Sequence, residues 1–355
     1  MDAIKSAVVN KGFSQQVAKH VSCAVTDSSR RVYQSRWAKF CQWCQKNNIN
    51  EMEQTIPVIA DFLVYLFEEE EASTNTIKGY RTALSRTLLY SCDEDISNSV
   101  VLTDLIKAFE RERPMRAVEF PKWDLRLVLE MLSKEPFEPL SQASLKLLTF
   151  KTVMLIALAS ASRRGEIHAL DVKLITQMEN WKYVKLAPNP KFLAKNFDYA
   201  TGNRNFEGFV IESLKHRLGP GLEQDALLCP VRALRYYLHR TENKRKETTQ
   251  LFIAINGSKP VCKNTISSWL KQTVKMAYQD CDEEVLKKLN IKAHEVRAIA
   301  TSTAFYGNTA MSDLLKAVRW AAQTTFTTYY LRDVAQDLSG IYSLGPVIVA
   351  QKRIN

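Results

Sequence analysis

The sequence lacks an apolar run that approaches the roughly 20 residues needed for a membrane-spanning helix. It has no secretory signal peptide at its start, and it shows no internal repeat and no low-complexity tract. The first two absences argue against a membrane-spanning or secreted protein. We therefore expect a folded protein of a reducing interior, cytoplasm or nucleus, with no membrane partner.

Cysteines are few and scattered. There are seven, an odd number, and Cys41 and Cys44 form a Cys-x-x-Cys pair that no second pair or His pair follows at zinc-finger spacing. Because this pair lies within an apolar helical pattern, we interpret Cys41 and Cys44 as buried thiols and expect no metal site.

Excess positive charge is confined to the C-terminal two-thirds of the chain. The formal net charge is +11, yet residues 1–117 carry 15 Lys and Arg against 15 Asp and Glu. Residues 118–355 carry 34 against 23. Such an excess indicates either a polyanionic partner such as nucleic acid or a solvated basic surface.

The N-terminal third has apolar residues at intervals of three and four, which is typical of amphipathic helices. Residues 1–25 show this pattern weakly and are interpreted as an N-terminal arm. The stronger patterns predict helices over residues 28–45, 57–67, 73–88 and 99–111. We interpret residues 26–112 as an all-α domain, because four such helices with short connections form a bundle. Residues 111–121 break the helical periodicity with two prolines and three arginines, and we interpret residues 113–121 as a linker.

Residues 122–355 mix helical and strand periodicity. A long apolar pattern over residues 144–161 predicts a central buried helix, and alternation over residues 181–186 and 206–211 predicts a long-looped hairpin. Further helices are expected over residues 230–239, 263–276, 294–306 and 312–320. We therefore expect a mainly α protein whose mixed α/β second domain holds a small antiparallel sheet.

Cationic residues able to bind a phosphate occur in this second domain. Arg163 follows the end of the buried helix, and Glu166, three residues on, can fix the direction of its guanidinium. His294 and Arg297 lie one helical turn apart, and a buried His–Arg pair would need an anionic partner. Each motif can also be a solvated surface patch.

Loop lysines and aromatic residues complete the candidate set. Lys191 and Lys195 lie in the predicted hairpin loop, where an amine can approach a leaving oxygen as general acid. Trp320 carries an indole N–H donor, and Tyr329 and Tyr330 each offer a phenol nucleophile. Taken singly, these residues are equally compatible with solvated lysines and core aromatics.

The order and local sequences of these residues resemble the tyrosine recombinase (phage integrase) family. RRGEIHAL, over residues 163–170, is similar to the family's first arginine box, R-x-[SG]-E-[LI]-x-x-L, and AHEVRAIATSTAF is similar to its His-x-x-Arg box. Trp320 falls where most members have a second His and some have Trp. PNPKFLAKN and TTFTTYYLRD look most like the recombinases of eukaryotic DIRS-type mobile elements.

The resemblance implies a core-binding (SAM-like) helical bundle over residues 26–112 and a catalytic domain over residues 122–355 that together clamp double-stranded DNA. The catalytic residues it implies are Arg163, Lys195, His294, Arg297, Trp320 and Tyr330, with Glu166 in support. Tyr330 would form a 3′-phosphotyrosyl link, with no cofactor, metal or small-molecule substrate. Tyr329 stays open as the alternative nucleophile, and Lys191 as the alternative general acid.

The resemblance further implies a homotetramer on DNA, a nuclear location and a role in integrating a mobile element. The segment IYSLGPVIVA, over residues 341–350, is a candidate for docking on a neighbouring subunit. Two alternatives keep the fold: an enzyme like the type IB topoisomerases, and a catalytically silent host DNA-binding protein. A third is a non-catalytic helical protein with a basic surface.

Overall fold

Several helices in this computed structural model begin at residues whose side chains cap the first turn. Each capping oxygen accepts a hydrogen bond from a backbone N–H that the helix itself leaves unpaired. The residues that cap in this way include Ser14, Thr26, Ser73, Ser99, Asp124 and Ser144. The structure describes residues 2–51, 55–92, 94–114, 123–195, 197, 206–214, 226–245, 248–281, 291–320 and 322–331.

The chain divides into two compact units, residues 1–118 and 119–355. The first is helical in its described part. Its helices are α1 (Asp2–Asn10), α2 (Gln15–Ser22), α3 (Asp27–Lys46), α4 (Ile56–Glu68), α5 (Thr74–Thr87) and α6 (Val100–Glu112). The predicted linker lies largely outside the described residues, so the domain boundaries stay predictions.

Aromatic rings fill the core of the first unit. Phe40 meets Phe62 edge to face at 5.0 Å between ring centres, and Phe67 stacks on Phe109 at 4.1 Å. The segment interpreted as an arm forms α1 and α2, whose buried residues make a separate small cluster. No described helix is both long enough and apolar enough to cross a membrane.

The second unit contains helices around a small sheet. Its helices are α7 (Leu125–Leu132), α8 (Leu145–Ser160), α9 (Arg164–His168), α10 (Pro230–Thr241), α11 (Lys263–Met276), α12 (Glu295–Tyr306), α13 (Met311–Val318) and α14 (Gln323–Tyr329). Its strands are β1 (Thr176–Met178), β2 (Tyr183–Leu186) and β3 (Phe209–Glu212). Helix α8 is buried along all but its first turn and packs against α10, α11 and α12. The apolar pattern that predicted a central helix is thereby explained.

The sheet is antiparallel with the order β1-β2-β3, and Tyr183 pairs with Glu212 where β2 meets β3. The predicted strand over 181–186 begins two residues late because Trp181, at φ 69°, belongs to a left-handed turn. Strand β1 was not predicted, since three mostly exposed residues carry too little alternation to be recognised. The fold class expected from the sequence, mainly helical with a small antiparallel sheet, is confirmed.

Candidate active site

The end of α8 and the start of α9 bring Arg163 and Glu166 together. Ala161, at φ 47°, ends α8 in a left-handed conformation, and Arg163 then forms the N-cap of α9. The Arg163 backbone N–H donates to Glu166 Oε2 at 2.8 Å, and its Nη1 donates to Oε1 at 2.9 Å. One buried carboxylate thus fixes both the backbone and the guanidinium of Arg163.

Arg297 reaches the same carboxylate from α12. Its side chain is 3% exposed, and its Nη1 lies 3.8 Å from Glu166 Oε2. Nη1 donates to the Ala161 carbonyl at 2.6 Å and Nη2 to the Val318 carbonyl at 2.9 Å. Burial, and next the nearby positive charge of Arg163, lower the pKa of Arg297 to about 10. A bound anion would offset this cost of holding a cation in the core.

Two aromatic rings cover the Arg297 guanidinium. Its central carbon lies 5.1 Å from the ring centre of Trp320 and 5.5 Å from that of Tyr330. The two rings lie 4.5 Å apart, and Phe326 of α14 stacks against Trp320 at 5.6 Å. The Ser302 hydroxyl donates to the Tyr330 carbonyl at 3.1 Å. These contacts hold Tyr330, just beyond α14, against the arginine.

Two buried N–H donors in this cluster have no hydrogen-bond partner in the described part of the chain. They are Nε of Arg297 and Nε1 of Trp320. An unsatisfied buried donor costs roughly 1–3 kcal/mol, so such groups are rare unless a ligand completes them. An anion with several acceptor oxygens has the chemistry to satisfy both.

Arg319 is a further member of the cluster that the sequence interpretation missed. Its Nη2 lies 3.5 Å from Glu166 Oε2, and its Nη1 donates to the Gly208 carbonyl at 3.4 Å. Burial lowers the pKa of Arg319, and the negative charge of Glu166 partly offsets that lowering. Its position directly before Trp320 was the only signal in the sequence. Three guanidiniums thus face one carboxylate, which leaves the cluster with excess positive charge.

His294 does not share the burial of Arg297. It is the N-cap of α12 with an exposed side chain, so the expected buried His–Arg pair is wrong in this respect. The reason is that α12 starts at the surface and enters the core only after its first residues. His294 lies one turn from Arg297 along the chain, at the N-terminal end of α12.

The two lysines lie on an exposed part of the hairpin loop. Lys191 and Lys195 both have exposed side chains, and the described contacts of the arginine cluster include neither of them. Tyr329 is the last residue of α14, and its side chain lies outside the described part. The segment 341–350, proposed for docking, also lies outside it.

Metal-binding residues do not gather in the described ranges, where no group of three or more His, Cys, Asp or Glu is placed to hold an ion. Burial raises the pKa of Cys41 to about 11 and that of Cys44 to about 12, which keeps both thiols protonated at neutral pH. The Cys-x-x-Cys pair therefore packs as two neutral side chains.

Comparison with known proteins bears on the fold. No family model and no curated protein sequence matches the chain. Among solved structures, the XerH site-specific recombinase bound to palindromic difH substrate is similar with a TM-score of 0.53 and 14% identity, over 84% of this chain and 75% of that chain. A lambda integrase dimer bound to a COC′ core site matches with a TM-score of 0.47, 13% identity and coverage of 96% and 97%.

XerA recombinase matches over 100% of this chain and 98% of that chain, with a TM-score of 0.39 and 13% identity. At such low sequence identity, structural similarity is evidence for the fold alone. The XerH comparison, with a TM-score of 0.53, provides that evidence. The chain has the fold of the tyrosine recombinases.

Proposed function

We propose that this protein is a site-specific DNA recombinase or integrase that cleaves and rejoins duplex DNA through a 3′-phosphotyrosyl intermediate. The observation that carries the proposal is the position of Tyr330 against Arg297 and Trp320. A phenol nucleophile stands there beside two buried donors that have no partner in the described structure. This combination suits attack on a phosphodiester, whose transition state concentrates negative charge on its non-bridging oxygens.

In the proposed reaction the Tyr330 phenol gives up its proton to solvent and its oxygen attacks the scissile phosphorus. The bond from phosphorus to the 5′ oxygen breaks, and Lys195, on its exposed loop, protonates that leaving oxygen. Arg163, Arg297, His294 and Trp320 stabilise the charge on the non-bridging oxygens. One phosphodiester replaces another, so the link retains the energy needed for rejoining.

The proposed partner is double-stranded DNA, and exchange between two duplexes would require a homotetramer. The concentration of excess positive charge in residues 118–355 supports a polyanionic partner. The likeness of PNPKFLAKN and TTFTTYYLRD to DIRS-type recombinases supports a nuclear protein that integrates a mobile element. Catalysis is favoured over a silent DNA-binding protein because the catalytic set resembles a complete one.

The nucleophile is tested with nicked suicide substrates, from which the cleaved fragment diffuses away and leaves the covalent adduct trapped. Tyr330→Phe should abolish the adduct and retain DNA binding, whereas the matched Tyr329→Phe variant should still form it. If Tyr330→Phe forms adduct and Tyr329→Phe does not, the nucleophile is Tyr329. If the wild type forms none on random duplex libraries, the enzyme proposal itself fails.

Strand exchange separates the recombinase from the enzymes and binding proteins that share its fold. Two duplexes with different labels, each carrying a site recovered from trapped adducts, should yield joined molecules that carry both labels. Relaxation of supercoiled DNA without such products would favour an enzyme like the type IB topoisomerases. Salt-dependent binding with no adduct would favour a silent DNA-binding protein.

A further inference from the structure

We propose that Arg319 is a further phosphate-binding residue of this site and contacts the same scissile phosphate as Arg163 and Arg297. The inference rests on the proposed function and extends it to a residue that neither the spacing of the motifs nor the comparisons assign. Three features support it: the backbone conformation of Arg319, the surroundings of its guanidinium and the charge balance of the cluster.

The backbone of Arg319 is in a conformation that arginine rarely adopts. Helix α13 ends there in the left-handed region, at φ 57° and ψ 46°, with the Arg319 N–H donating to the carbonyls of Leu315 and Lys316. The next N–H, that of Trp320, donates back to Leu315 at 3.0 Å. At the end of a helix, glycine adopts this left-handed backbone conformation with the lowest steric cost. An arginine here is strained, and such strain is typical of functional positions.

The guanidinium of Arg319 packs on an aromatic ring, but its hydrogen bonds are long. It lies 4.5 Å above the ring of Phe206, and its contacts with Glu166 and the Gly208 carbonyl are long, at 3.5 and 3.4 Å. Arg297, by comparison, donates at 2.6 and 2.9 Å. Because a guanidinium has five N–H donors, Arg319 retains capacity for an anion.

Arg163 and Arg319 flank the two oxygens of one carboxylate. Arg163 contacts Oε1 of Glu166 and Arg319 contacts Oε2, and the two side chains are similarly exposed, at 23% and 25%. Two cations on one carboxylate repel each other, and Arg163 contributes to the lowered pKa of Arg319. An anion bound between them would relieve that repulsion. The charge balance around Glu166 thus favours a phosphate bound by both arginines.

The first experiment compares Arg319→Gly with wild type in adduct formation on the suicide substrate. Glycine relieves the backbone strain, so the unfolding temperature should stay at or above that of wild type. The rate of adduct formation should nonetheless fall at least about 10-fold, since a donor to the transition state is lost. Arg319→Lys keeps the positive charge but loses the planar guanidinium. Its rate of adduct formation should lie between those of wild type and Arg319→Gly.

Asn308→Gly is the matched control. Asn308 also has a left-handed backbone, at φ 62°, at the end of α12, and it carries no charge. Its substitution should leave the rate of adduct formation unchanged. Equal rates for wild type and Arg319→Gly would overturn the inference.

A second experiment distinguishes contact with the phosphate from an indirect effect on the fold. A methylphosphonate at the scissile position removes the negative charge that Arg319 is proposed to balance. The deficit of Arg319→Gly relative to wild type should therefore shrink to less than about 3-fold on this substrate. An equal deficit on both substrates would show that Arg319 acts only through the position of its neighbours, and would overturn the inference. If wild type forms no adduct, the proposed function has failed instead.

Discussion

Glu166 orders the candidate site at the scale of single residues. Its carboxylate is almost fully buried and lies within 2.9 Å of Arg163, 3.5 Å of Arg319 and 3.8 Å of Arg297. A buried carboxylate with such partners presets the directions of guanidiniums that come from separate segments of the chain. The arginines are therefore positioned before any substrate binds.

Arg163→Lys should reduce the rate of adduct formation by roughly 100-fold or more, the scale of losing one transition-state donor. A lysine ammonium cannot contact Glu166 and a phosphate oxygen with the same planar fork. The rate is measured on the suicide substrate at saturating protein.

Arg164→Lys provides the control for this prediction. Arg164 is adjacent in sequence, but its guanidinium points to α11, where it donates to the Ser267 hydroxyl at 3.1 Å. Its substitution should change the rate little. Equal losses in the two variants would place Arg163 outside the reaction.

The entry into β3 connects the sheet to the site at the scale of elements. Gly208, at φ 99°, precedes β3, and a Cβ there would overlap the backbone of Leu186 on the neighbouring strand. The same residue offers its carbonyl oxygen to Arg319. The close approach of two backbones thus fixes both the register of the sheet and one contact of the arginine cluster.

Gly208→Ala should lower the free energy of unfolding by about 2 kcal/mol, because alanine is strained at this φ and its Cβ collides with the strand. Urea unfolding measures the change. Gly257→Ala is the matched control, since a Cβ there meets nothing within 4 Å. Loss of stability in both variants, or in neither, would contradict the prediction.

At the scale of the whole molecule, a buried ionic cluster joins distant segments of the second unit. Lys151 of α8 is fully buried and donates to Glu138 and, at 2.6 Å, to the Leu132 carbonyl. Arg232 of α10 binds both oxygens of Glu138 at 2.7 and 2.8 Å. Burial alone would raise the pKa of Glu138, but hydrogen bonds from Arg232 and Lys151 lower it, so the carboxylate stays charged.

The stability difference between wild type and Lys151→Met should depend on pH. Burial lowers the pKa of Lys151 from 10.5 to about 8, so the folded protein loses this proton at a lower pH than the unfolded chain does. Between about pH 8 and 10.5 the unfolded state binds more protons, and stability therefore rises with pH. Wild type should gain up to about 3 kcal/mol over Lys151→Met across this window. Urea unfolding of both proteins at several pH values measures this gain. A difference in unfolding free energy that does not change with pH would refute the prediction.

Much of the fold could be read from local pattern. The helix expected over residues 263–276 is observed as Lys263–Met276, and the buried helix expected over 144–161 is observed as Leu145–Ser160. The pairing of Arg163 with Glu166 follows from their spacing of three residues. Periodicity succeeds in these places because each element buries one face, or all of them, over several turns.

The sequence by itself determined the order of the site residues and the helix that carries Arg297. Only the tertiary structure decided which side chains meet. It placed Arg319 beside Glu166 across 153 residues of chain, left His294 at the surface and gave Arg297 the carbonyls of Ala161 and Val318. The physical reason is that periodicity records which face of an element is buried, whereas these contacts depend on how separate elements pack and where each helix ends.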